Sequence, residues 1–195
     1  METVLLSRLE GGLEHVAGEL RTADTAIDDV GDEVTRRRLR RTWERLGRAR
    51  KAADDMLRRL DREPAEAAKL LAKDLEREVC QLEAEVGLLA AEVRGELATT
   101  TDAYRTAAGE QLRAWRGRLD ELRVQASLAR MEIRDDVDAV LDRMEGHYHE
   151  AAHHLRMATT STTLSSLRQA VRRLFGDVRE AADAARDELA RPAER

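Results

Sequence analysis

The sequence predicts an all-α protein, an elongated antiparallel helical bundle or coiled coil of about five helices. Three observations carry this. Charged residues make up 37% of the 195 positions and aromatic residues only 3%, the Ala–Glu–Leu–Arg profile of long amphipathic helices. A thick globular core would draw on more Phe, Tyr and Trp, which bury the largest areas per residue. Apolar residues recur at alternating steps of three and four, the heptad spacing that lays one narrow seam along a helix. The breaks between these runs are short and turn-like, so neighbouring helices are expected to pack antiparallel.

The first run is Leu6, Leu9, Leu13, Val16, Leu20, Ala23, Ile27, Val30 and Val34. Gly31 is placed to end that helix and Asp32 to cap the next. The step from Val34 to Leu39 is out of phase, and a second run follows through Leu39, Trp43, Leu46, Arg50, Ala53, Leu57 and Leu60. Pro64 opens the third helix, since proline suits a first turn and disfavours helix in the residue before it. That helix runs through Leu71, Leu75, Val79, Leu82, Val86, Leu89, Val93 and Leu97.

The stretch "ATTTDAY" (98–104) reads as a turn or N-cap. The fourth run is the longest: Leu112, Trp115, Leu119, Leu122, Ala126, Ala129, Ile133, Val137, Val140, Met144, Tyr148, Ala151 and Leu155. Unbroken, it predicts a rod of about 65 Å at 1.5 Å per residue. "ATTSTTLSS" (158–166) is the clearest break, a cluster of capping and turn residues. A last helix carries Leu164, Leu167, Val171, Leu174, Val178, Ala181, Ala185 and Leu189, and Pro192 ends it.

Three segments follow: an acidic-then-basic hairpin over 1–63, a long hairpin or rod over 64–157, and a Ser/Thr turn with a final helix over 158–195. They are expected to form one continuous structural unit, with no internal repeat. Narrow seams on helices this long call for partners, and self-association as a dimer is expected.

Net charge is −5, with 34 basic and 39 acidic residues, so no global attraction to nucleic acid or anionic lipid is expected. Cys80 is the only cysteine; it rules out an internal disulfide and suits a reducing compartment. The start, "METVLLSRLEGGLEHV", does not read as a signal peptide. The longest nearly apolar run, "VGLLAAEV" (86–93), is too short to span a bilayer. A cytoplasmic protein is the expectation.

Two clusters invite a functional reading. "TRRRLRRTWERLGRARK" concentrates positive charge, and Arg36, Arg37, Arg38, Arg40, Arg41 and Trp43 are its candidate binding residues for a protein partner or anionic surface. A basic stripe with an aromatic grips phosphates in single-stranded nucleic acid or lies on an anionic membrane. The competing reading is internal. Residues 1–34 hold nine acidic and two basic residues, while 35–62 hold twelve basic and four acidic. A hairpin would then cancel most of the charge and fix register. The internal reading is preferred, and a nucleic-acid partner is not expected.

"HYHEAAHH" (147–154) gathers four of the five histidines. His149 and His153, four apart on one helix face, have the spacing that chelates a transition metal. Glu145, on the same ladder, is a distant third candidate; the remaining ligands would have to come from another helix or a second chain, and "HExxH" is absent. Glu150 and His153 have the Glu-x-x-His spacing of di-iron bundles, but such sites need two copies plus further inward glutamates. His147, Glu150 and His154 form a second ladder that suits a pH-responsive interface. A solvated helix flank is the simplest reading of both ladders.

No glycine-rich phosphate loop, nucleophile elbow or cysteine–histidine pair is visible, so neither catalysis nor a cofactor is expected. The leading functional expectation is a non-catalytic coiled-coil scaffold or adaptor that self-associates and binds a protein partner through charged helix faces. The alternatives are an amphipathic coat on lipid or a hydrophobic granule surface, and a metal-binding or pH-responsive protein built on the histidines.

Overall fold

The computed structural model describes residues 2–60, 62–128, 131–158 and 162–190. Among these there are six helices and no strand: α1 (Glu2–Asp28), α2 (Glu33–Leu60), α3 (Ala65–Leu97), α4 (Thr101–Leu128), α5 (Met131–Met157) and α6 (Leu164–Ala190). The all-α expectation holds and the count of five is corrected. The run from Leu112 to Leu155 is not one rod. It is interrupted after Leu128, and α4 and α5 pack side by side.

The chain forms two compact units, Met1–Leu97 and Ala98–Arg195. The division lies in "ATTTDAY" rather than at 63/64 or 157/158, which are turns inside the units. The reason is packing: α3 meets both α1 and α2, and α4 meets both α5 and α6.

Punctuation residues act as capping chemistry requires. Asp32 Oδ2 accepts the Thr35 backbone N–H at 2.9 Å, and the Thr35 hydroxyl also donates to it. Thr100 Oγ1 accepts from Ala103 N at 3.2 Å, and Thr163 Oγ1 from Ser166 N at 3.3 Å. Each satisfies a first-turn donor that has no partner within the helix. Gly31 does not take the expected left-handed end position, since no described glycine has positive φ. Instead α1 closes with tight bonds from Asp29 N to Ala26 O and from Val30 N to Ile27 O.

In the first unit the interior is the heptad seam. Leu9, Leu13, Val16, Leu20, Ala23 and Ile27 of α1, with Val30 just past its end, meet Leu39, Leu46, Ala53 and Leu60 of α2, and Leu75 through Val93 of α3. Burial of each leucine contributes about 1.5–3 kcal/mol. Val34 departs from expectation: it is 77% exposed and Thr35 is buried instead, because the Asp32 cap starts α2 in a new phase. Helices α1 and α3 approach closely at Gly12, where an added Cβ would lie 2.6 Å from Val79 Cγ1.

In the second unit α4 and α5 run antiparallel, and α6 covers them with Leu167, Val171, Leu174, Phe175 and Val178 buried. The Arg168 guanidinium stands 5.5 Å over the Tyr104 ring and donates to the Ala98 carbonyl at 2.6 Å, tying the start of α6 to the start of α4. Trp115, Leu119, Leu122, Val137, Val140, Met144, Ala151 and Leu155 are buried as the periodicity predicts. Ala129, the Ile133 side chain and Pro192 lie outside the described residues.

Candidate functional site: the arginine face of α2 and the α4–α5 groove

The arginine block is largely neutralised from within. Arg40 reaches Asp24 and Asp28 of α1, the latter at 2.5 Å, and lies 5.2 Å over the Trp43 ring. Burial works to lower the Arg40 pKa, but hydrogen bonds to Asp24 and Asp28 outweigh it and the net direction is upward. Trp43 donates its indole N–H to the Leu20 carbonyl. Arg36 and Arg37 both pair with Glu33, and Arg36 also donates to the Val30 carbonyl at 3.1 Å. The Arg37 hydrogen bond is the main reason the Glu33 carboxyl titrates below its usual range.

A second source of counter-charge is α3, which sequence reasoning missed. Arg38 pairs with Glu92 at 2.6 Å and Arg45 with Glu85 at 2.7 Å. The seven-residue step forward on α2 is matched by a seven-residue step back on α3, as antiparallel alignment demands. Glu85 and Glu92 precede the seam residues Val86 and Val93, so their flanking positions were the available signal. Of the five candidate arginines, Arg41 alone has no ion-pair partner among the described residues. It is exposed, as are Arg48 and Lys51 further along.

The histidines sit on the second unit as flanks. His147 Nδ1 lies 4.0 Å from Asp177 Oδ2 of α6, and His154 Nε2 lies 4.0 Å from Glu150 Oε1. The His153 ring meets His154 edge-on at 6.3 Å between centroids. His149 Nε2 is 3.5 Å from Glu145 Oε1 and its ring meets Tyr148 edge-on. Among the described residues no group of three or more His, Cys, Asp or Glu side chains is placed to hold a metal ion.

What the fold adds is a hub at Glu145. This one carboxylate takes Arg123 by hydrogen bond, Arg116 at 3.5 Å and His149 at 3.5 Å. Arg123 is the largest cause of its lowered pKa; partial burial opposes, and the charges of Arg123, His149 and Arg116 reinforce the shift. Beyond the hub, towards the start of α4 and the end of α5, a groove of about 570 Å³ opens between the two helices. Its floor is Leu112, Leu155, Ala152 and Gly109, and its rim carries Arg105, Arg156, Asp102 and Thr106. No periodicity could have found it, because it exists only once α4 and α5 are known to be two helices.

No helix of the described residues is long and apolar enough to cross a membrane. No known protein family, curated protein or solved structure matches the chain.

Proposed function

We propose that the chain is a non-catalytic helical adaptor that self-associates and holds a protein partner against the charged outer faces of its helices. One observation supports this reading above the others: the arginine-rich helix uses its cations in two directions. Arg36, Arg37, Arg38, Arg40 and Arg45 point at carboxylates of their own unit and set register. Arg41, Arg48 and Lys51 point outward without ion-pair partners among the described residues, at steps of seven and three. Val34, 77% exposed, precedes Arg41 by one heptad. Unpaired charge at heptad spacing beside an exposed apolar residue is the kind of face by which helices select partner and register. A cytoplasmic setting belongs to the same proposal and rests on the single, exposed Cys80.

Light scattering coupled to size exclusion tests it. A species of twice the 22.0 kDa chain mass is expected, and the charge reversal R41E/R48E/K51E should shift it towards monomer. A monomer at every concentration would remove self-association from the reading. A dimer indifferent to the reversal would remove the α2 face.

A further inference from the structure

The α4–α5 groove has the build of a seat for one more helix. Tyr104 and His147, which meet α6, lie about 140° round their helices from Gly109 and Ala152 at 3.6 residues per turn. Gly109 and Ala152 thus face away from α6, while Leu112 and Leu155, about 80° from the α6-facing positions, lie between the groove and the unit's interior. The groove floor is apolar, with Leu112 and Leu155 under 10% exposed. Gly109 keeps it deep, since a Cβ there would meet nothing within 4 Å.

Chemistry narrows the occupant. Each wall contributes one cation, Arg105 from α4 and Arg156 from α5. Arg156 is exposed and has no ion-pair partner among the described residues. Arg105 has only Asp102, at 3.7 Å, and that carboxylate is itself 94% exposed. The rim carboxylate Asp102 opposes the two arginines, so the lining carries two positive charges against one negative and is net cationic. Small-molecule sites enclose most of their ligand, whereas this groove is open along its length. It follows the eleven residues from Asp102 to Leu112, a rise of about 15 Å or nearly three helical turns.

From this we infer that the groove receives an amphipathic helix of a protein partner, its leucines on the Leu112–Leu155 floor and its Asp or Glu side chains against Arg105 and Arg156. This is the helix-in-groove mode of recognition. It rests on the adaptor reading above for the class of partner and adds the place and the sign of charge.

The test uses the full chain and a fluorescein-labelled synthetic peptide of about four turns, with leucines at heptad core positions and glutamates flanking them. A counterpart with lysine in place of every glutamate is the control. Anisotropy should rise with the acidic peptide and not with the basic one. R105E/R156E, two surface changes, should weaken binding by about tenfold or more. Gly109→Leu, which fills the floor, should abolish it while circular dichroism stays unchanged.

Equal binding of the two peptides, or full affinity in R105E/R156E, overturns the proposal. So does an acidic peptide that fails to bind while phosphatidylserine vesicles bind through the same arginines, which would make the occupant a lipid surface. Light scattering on the same samples separates the two claims. Peptide failure with the dimer intact sinks the groove alone, and a dimer dissolved by R105E/R156E without peptide binding makes a second copy the occupant. Peptide binding by a monomer upholds the groove and removes self-association.

Discussion

Trp43 of α2 donates its indole N–H to the backbone carbonyl of Leu20 on α1, 2.9 Å away. The contact fixes how the two helices rotate against each other, and Arg40 closes over the ring from the same side. Trp43→Phe keeps an aromatic ring in place but removes the donor and weakens the cation contact. A loss of about 1 kcal/mol is expected for the first unit, measured by urea unfolding followed by circular dichroism. No change would mean that the indole N–H is equally well served by water.

Adjacent glycines should respond with opposite signs. At Gly12 a Cβ would press on Val79 Cγ1 at 2.6 Å and Glu83 Oε1 at 3.0 Å, and the valine is buried and stiff. Gly12→Ala is expected to destabilise by about 1–3 kcal/mol from overpacking, less the gain of about 1 kcal/mol in helix propensity. Gly11 faces open space, so Gly11→Ala should stabilise by up to about 1 kcal/mol. Thermal melting of both variants decides it, and a shared sign would show that α1 and α3 are not so close.

Removing the Asp32 cap should loosen the start of α2. Asp32→Ala strips an acceptor from the Thr35 amide and from the Thr35 hydroxyl, which is buried. A cost of about 1–2 kcal/mol is expected, with Asp32→Asn recovering most of it. Hydrogen exchange at residues 33–36 should accelerate in the alanine variant alone.

The Glu145 hub gives the second unit a signed dependence on pH. Its carboxyl titrates below the usual range, chiefly through Arg123. The stabilisation is therefore present above the unfolded value of about 4.3 and is lost as pH falls through the lower folded one. Glu145→Gln should cost about 0.5–1 kcal/mol at neutral pH and flatten the acid limb of a stability–pH curve. An unchanged limb would place the acid sensitivity elsewhere.

What the sequence made legible was local. Leu9 to Val30, Leu39 to Leu60 and Leu75 to Val93 follow a repeat that any helix with one dry face must show, and they are the first unit's interior. Asp32 was legible as a cap, and 98–104 and 158–166 as turn or capping stretches, because capping is short-range chemistry; which threonine caps, Thr100 or Thr163, came from the structure. The reversal between α4 and α5 was hidden for a physical reason. Apolar residues continue across it at steps of three and four, from Leu122 and Ala126 to Val137, Val140 and Met144; the one irregularity is two consecutive steps of four at Ala129–Ile133–Val137, and neither Gly nor Pro marks the spot. The same blindness concealed the groove, whose walls come from the two arms of that reversal. Cancellation of the arginine charge by α1 was readable from two adjoining segments of opposite sign. Cancellation by Glu85 and Glu92 needed the third helix in place.

Each unit encloses its own apolar interior, and each holds one of the two tryptophans, half-buried Trp43 in the first and buried Trp115 in the second. The polypeptide thereby carries a resident optical reporter for either half. Emission from single-indole versions should resolve two separate melting events, and wounds such as Gly12→Ala should darken one signal while sparing its sibling.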